Sequence, residues 1–306
     1  MTVYERLHQR PATFRSLTGM TVEEFERLYE QIESAIEDYE TRRLWRPDRE
    51  RDMGGGASYS LDGRNRLLLA LIWLRVYPVY EVLGFIFDLH KSNVGRNLKA
   101  MLDVLSEHLE IEWPDKAKRT KKKMNEFMAE FPEVAVIVDA TEQPTQRPGD
   151  PDTQKKYYSG KKRRHTLKTQ VVALPDGTIV GVSDTVPGSQ HDKALYDAIG
   201  VAEQLEEDEA IMGDSGYQGI QHDHLAVLPT KKPKGGELTD EQKQRNRQIS
   251  QARVVIENTI AQLKFFRILA DRYRHSRDSH HQVFRIVASL VNRRMRRHPL
   301  RPVVLA

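Results

Sequence analysis

Three carboxylates stand where chemistry could be done. Asp139 closes the apolar run Val134-Ala-Val-Ile-Val-Asp139, and Asp214 closes a second short run, Ala210-Ile-Met-Gly-Asp214. Short Val/Ile-rich runs bounded by polar residues read as buried strands, and a carboxylate at the end of one sits at a sheet rim, where open α/β sheets place ligands. Glu257 lies instead in a stretch of helical spacing, Ser250 to Leu269, with Arg253 and Lys264 on the same face. Carboxylates are the hard oxygen donors that Mg²⁺ and Mn²⁺ favour. Each also has an ordinary reading: an Asp opens turns readily, and Arg253–Glu257 at i,i+4 is a surface ion pair worth tenths of a kcal/mol. The glycines after the second run, Gly213, Gly216 and Gly219, are spaced neither as a dinucleotide fingerprint nor as a P-loop.

Taken in order, the blocks around these residues narrow the reading. Val138-Asp-Ala-Thr-Glu142, Pro187-Gly-Ser-Gln-His-Asp192, Gly213-Asp-Ser-Gly-Tyr-Gln-Gly219 and Val255-Ile-Glu-Asn258 together resemble the DDE transposases, in particular the PIF/Harbinger-like branch with its bacterial insertion-sequence members. The resemblance covers roughly residues 60 to 297. In the helix pattern Y-x2-R-x3-E-x6-K of related transposases, Arg253, Glu257 and Lys264 fit, while Ser250 stands in the Tyr place. The resemblance implies a ribonuclease-H-like fold whose catalytic triad is Asp139, Asp214 and Glu257. It also implies two divalent ions, Mg²⁺ or Mn²⁺, with Asp139 bridging both, Asp214 on one and Glu257 on the other. Asp192 would be an accessory ligand or positioning residue, although it could equally cap the helix that follows. Such ions, about 3.5–4 Å apart, stabilise the attacking and leaving oxygens of phosphodiester cleavage. Arg253 and Lys264 would hold DNA phosphate. Unpaired, the carboxylates would repel one another.

The elements that must position these residues follow from pattern. Thr21-Val-Glu-Glu24 reads as a capping box opening a helix with the stripe Phe25, Leu28, Tyr29 and Ile32. Arg42, Arg43, Arg46, Arg49 and Arg51 follow, then a flexible link at Gly54–Gly56. Residues 66–75 form an apolar helix, Tyr80–Phe87 a short second one, and Asp88-Leu-His90 a link to a third helix that Ser92 can cap. Two short helices joined by about three residues suggest a helix-turn-helix. The first residues of its second helix, Lys91, Ser92, Asn93 and Arg96, would then face the major groove, where Asn reads adenine and Arg reads guanine. Lys116 to Lys123 is a basic segment suited to phosphate. Gln143 to Pro151 reads as a Pro-rich loop. Lys161, Lys162, Arg163 and Arg164 stand beside Tyr157 and Tyr158, a mixture that neutralises phosphate and stacks on bases. His165–Leu174 and Thr178–Ser183 make a hairpin around Pro175-Asp-Gly177. His222, His224, His280 and His281 lack the wider ligand set of a zinc site and read as surface residues. The last helix spans Val283 to Arg297.

The expected class is thus α/β: a ribonuclease-H-like mixed-sheet domain over 131–275, preceded by an N-terminal helical region (1–60) and an all-α helix-turn-helix region (61–125), and followed by a basic helix (276–306). The net charge is only +4, so the clustering of cations is more informative than their excess. There is no cysteine, which excludes disulfides and thiolate metal sites. No apolar run approaches the ~18 residues that span a bilayer, and the N-terminus lacks a signal-peptide core. A cytoplasmic protein is expected, nucleoid-associated if bacterial. It should act on double-stranded DNA, both element ends and target, as a homodimer or larger assembly. The implied activity is cleavage at terminal inverted repeats followed by 3′-hydroxyl strand transfer. The alternatives are a domesticated endonuclease that cuts without joining, and a non-catalytic DNA-binding regulator.

Overall fold

The computed structural model describes residues 1–45, 61–116 and 126–295. Arg46, Arg49, Arg51, the Gly54–Gly56 link, most of the 116–123 basic segment and the Arg296-Arg297 end lie outside them. The four segments read from sequence group into two compact units. One is Met1–Glu110 with Phe265–Ala270, and the other is Ile111–Lys264 with Asp271–Ala306. No helix among the described residues is long and apolar enough to cross a membrane.

The first unit is all helical: α1 (Val3–His8), α2 (Pro11–Thr18), α3 (Val22–Leu44), α4 (Gly63–Val76), α5 (Tyr80–Phe87) and α6 (Lys91–His108). The capping box is present. Thr21 Oγ1 accepts from the Glu24 amide at 3.2 Å, and Glu24 Oε2 accepts from the Thr21 amide at 2.8 Å. Phe25, Leu28, Tyr29 and Ile32 are buried, as is the run Leu67–Leu74 of α4. The α5–α6 corner depends on Gly84, where a Cβ would lie 2.4 Å from the Leu89 carbonyl oxygen. Asp88 takes a left-handed conformation to end α5, as Asp tolerates better than most residues. Ser92 is not the cap of α6. The chain is already helical at Lys91, and His90 caps the helix through Nδ1, which accepts from the Ser92 amide at 3.3 Å.

The second unit is built on a mixed sheet. Its strands are β1 (Val134–Pro144), β2 (Tyr158–Ser159), β3 (Arg164–Ala173), β4 (Ile179–Val182), β5 (Val186–Pro187), β6 (Ala210–Met212) and β7 (Ala226–Val227). The order is β2-β3-β1-β6-β7, with β4 and β5 also on β3. β1 runs antiparallel to β3 but parallel to β6, which is parallel to β7. The helices of this unit are α7 (Pro151–Tyr157), α8 (Asp192–Ile199), α9 (Asp240–Lys264) and α10 (His280–Met295). This strand, hairpin, helix, strand, strand, helix order is the ribonuclease-H-like arrangement.

Several boundaries differ from the sequence reading. β1 does not stop at Asp139, because β3 continues to pair with it as far as Pro144↔Thr166; a strand outlives its apolar run when a neighbour still satisfies its backbone. α7 occupies the end of the expected Pro-rich loop, with Asp150 accepting from the Thr153 amide at 2.8 Å and Pro151 at the first helical position. α9 ends at Lys264, not Leu269; Arg267–Ala270 is a separate short helix of the first unit. α10 begins at His280 and docks on the β4 edge, where the buried Asn292 side chain binds both the Ile179 amide (2.9 Å) and carbonyl (2.7 Å).

Candidate active site

The sheet gathers the acidic residues at one rim. Parallel pairing between β1 and β6 ends at Ile137↔Met212, and Asp139 lies two residues beyond it. Asp214 lies the same distance past the end of β6. Its Oδ1 accepts from the Gly216 amide at 2.7 Å and caps the short turn Ser215–Tyr217. Asp192 occupies the first turn of α8. It is not that helix's cap, a position held by His191. A Cβ placed on Gly216 would lie 2.7 Å from Asp192 Oδ2 and 2.9 Å from Asp214 Oδ1. Only glycine leaves the space between these two carboxylates open.

Cations already inside the fold offset this charge. Arg253 on α9 approaches Asp139 Oδ2 at 3.3 Å, with both side chains largely buried. Lys168 on β3 donates to Asp192 Oδ1 at 2.9 Å and to the Gln190 carbonyl at 2.6 Å. The offset is incomplete at Asp139. Burial pushes its carboxyl up to about 6; Arg253 and the Ala140 amide pull against that, while Asp214 and Asp192 add to it. A buried carboxylate in the company of two more is an environment that a divalent cation would relieve. Lys264 also feels this rim. Partial desolvation and Lys162 lower its ammonium from the ordinary lysine value, against the pull of Asp139 and Glu142. Glu142 itself accepts from Thr166 Oγ1 at 2.7 Å.

Glu257 is not brought into this cluster. It is exposed on α9, one turn beyond Arg253. The expected i,i+4 pair with Arg253 does not form, because Arg253 turns to Asp139 instead. Among the described residues, no three carboxylate or imidazole groups stand ready to hold a metal ion. The fit to a divalent cation rests on the hard-oxygen donors Asp139, Asp192 and Asp214 and on the cradle at Gly216, which a Cβ would fill.

Of the positions expected to contact DNA, those on the β2–β3 hairpin and most of those on α6 are exposed, while Arg253 is largely buried against Asp139. Lys161, Lys162 and Arg163 form the exposed tip of the β2–β3 hairpin, Arg163 with a positive φ of 51°, and Arg164 begins β3, also exposed. On α6, Lys91, Ser92 and Arg96 are exposed and Asn93 is half-buried. Arg96 donates to Asn93 Oδ1 at 2.9 Å, so these two side chains already form a small polar unit, and Lys91 faces Glu81 at 3.4 Å. The surface reading of the histidines holds only in part. His280 is fully buried, with Nε2 2.7 Å from Gln143 Oε1 and Nδ1 2.7 Å from Thr185 Oγ1, and burial lowers its pKa to about 3. Because Gln143 Nε2 donates to the Asp271 carbonyl, its Oε1 must accept from His280. That neutral ring ties β1 to α10. His224 is half-buried, 2.7 Å from the Glu209 carbonyl. Sequence reasoning did not find Lys168 or the spacing role of Gly216. No pattern pairs Lys168 with Asp192, 24 residues on, and Gly216 stood in a recognised block but read as a turn residue.

This architecture matches known proteins in both parts. Residues 138–292 match the DDE superfamily endonuclease family, and residues 59–111 match the helix-turn-helix of DDE superfamily endonucleases. The chain belongs to the DDE superfamily endonucleases. It is also 34% identical, over 212 residues, to a protein of Microchaete diplosiphon described as a probable transposase for insertion sequence element IS702; the match covers 69% of this chain and 73% of that relative. No solved structure matches.

Proposed function

We propose that the protein is a DNA transposase. In this reading α6 binds the element's terminal inverted repeats through Asn93 and Arg96, with Lys91 and Ser92 on adjacent phosphates. The sheet unit cuts the strand at the element's end, and the freed 3′-hydroxyl attacks target DNA. The observation that carries the reading is that Asp139, Asp214 and Asp192 lie near enough at one sheet rim for the other two to act on the charge of Asp139, with Arg253 against Asp139 and Lys264 feeling the same rim.

Asp139, Asp214 and Asp192 would hold divalent cation, Mg²⁺ or Mn²⁺, and Glu257 would complete the set. Bound there, the cation supplies charge stabilisation at the attacking and leaving oxygens of the phosphodiester. Arg253 offsets Asp139 and would be the group that holds a DNA phosphate beside that carboxylate. Lys162, Lys264 and the hairpin cations Lys161, Arg163 and Arg164 bind the backbone flanking the scissile bond. Lys168 fixes Asp192 in place through its 2.9 Å contact with Oδ1. Two ends must be processed together, which makes a homodimer or larger assembly on DNA the working form. Its place of work is the cytoplasm, at the nucleoid in a bacterium.

Strand transfer separates this reading from an endonuclease that only cuts. A pre-cleaved, labelled element end is incubated with supercoiled target in Mg²⁺ or Mn²⁺. A transposase yields end-joined target; a protein that nicks intact ends but never joins the pre-cleaved one is the domesticated nuclease. A protein that binds the ends and does neither is a regulator.

A further inference from the structure

The acidic rim has a neighbour that the proposed chemistry does not use. Tyr217 is fully buried, packed with Val136, Val138, Val172 and Ile220 in the apolar core behind the rim. Its ring also lies against Gly213, where a Cβ would come within 3.2 Å of it. Its hydroxyl is buried and has no hydrogen-bond partner among the described residues. Burying a hydroxyl without a partner is unfavourable, and phenylalanine would fill the same core without that penalty. Burial above all, with Asp139, Asp192 and Asp214 adding to it, keeps this phenol protonated well above the ordinary tyrosine range. It is therefore a donor at any working pH, with three carboxylates near enough to act on it.

We infer that Tyr217 is a positioning residue for the carboxylate cluster: its hydroxyl donates to Asp192 or Asp214 when a divalent cation draws these carboxylates together across Gly216. The hydrogen bond forms only in the cation-bound arrangement. The hydroxyl is thus a burden to the empty fold and a support to the loaded one. The inference rests on the proposed cation site and assigns it a residue outside the metal ligands. Partners of this kind contribute about 10–100-fold to metal affinity when removed.

The test is Mn²⁺ titration of the full chain, followed by calorimetry, beside the thermal midpoint of the metal-free protein. Wild type, Asp139→Asn and Tyr217→Phe are compared. Tyr217→Phe should melt no lower than wild type without metal, and should bind Mn²⁺ about 10- to 100-fold more weakly. Unchanged Mn²⁺ affinity overturns the inference. So does a lower metal-free melting point, which would show the hydroxyl already bonded in the empty fold. Asp139→Asn reports on the site itself. If wild type binds no Mn²⁺, or Asp139→Asn binds as wild type does, the cation site fails before Tyr217 is at issue.

Discussion

The first turn of α6 and the acidic rim of the sheet, the two surfaces to which the proposal gives a function, are both polar but are built in opposite ways. Lys91, Ser92 and Arg96 are exposed, and their mutual contacts are those of a solvated surface. Nothing in the core depends on them. At the rim, Asp139 is mostly buried, held against Arg253 and raised to about 6, and Lys168 is buried beneath Asp192. A surface that reads DNA can wait in water at no cost to the fold. A site that must take divalent cation keeps carboxylates where the fold would rather not have them, with internal cations holding the charge until then. Function should therefore be separable from stability at α6, and opposed to it at the rim.

The largest effect should come from closing the cradle. Gly216→Ala places a methyl between Asp192 and Asp214, so metal-dependent nicking should fall on the order of 100-fold, while end binding by gel shift stays at the wild-type level. Equal loss of both would break the contrast between the regions. Next, Asn93→Ala and Arg96→Ala should each weaken binding to the element's ends by about 10- to 100-fold over random DNA, with the thermal midpoint unmoved.

The third prediction runs the other way. Asp139 titrates at about 6 in the fold and near 4 in an unfolded chain. The fold gains from its protonated form below pH 4, and that gain is lost as pH rises through 6. Asp139→Asn should thus stabilise the protein by about 2 to 3 kcal/mol at pH 8, at roughly 1.4 kcal/mol per unit, and by little at pH 4, as urea melts at the two pH values would show. A destabilised variant at pH 8 would mean the Arg253 pair outweighs burial. The smallest effect belongs to Lys162→Ala: a modest, sequence-independent loss of DNA affinity, with the slope of log K against log salt shallower by about 1.

The parts of this architecture legible in sequence were those set by local rules. The α3 capping box, the α5 limits and the β3–β4 hairpin follow from caps, turn residues and periodicity. What was not legible depended on partners distant in the chain. β1 outruns its apolar stretch because β3 pairs with it, a fact that no reading of residues 133–142 contains. His280 looked like surface because two adjacent histidines carry no burial signal, yet Gln143, 137 residues away, gives it a buried partner. At the rim, Asp139 and Asp214 were singled out because each closes an apolar run, although β1 itself runs on past Asp139. The partner of Arg253 was not: helical spacing offered Glu257, and the folded chain offers Asp139, where a buried opposite charge outweighs an exposed one.

The account stands most directly on cleavage of a labelled DNA bearing the element's own ends, in Mg²⁺ and in Mn²⁺, by wild type and by Asp139→Ala, Asp214→Ala and Glu257→Ala. It predicts nicking at the ends that requires metal and disappears in all three variants while each still binds the ends. Persistence of cleavage in Glu257→Ala would remove that residue from the site and leave the cluster at Asp139, Asp192 and Asp214. Specific binding by wild type with no cleavage in either metal would contradict the account, and make the chain a DNA-binding regulator.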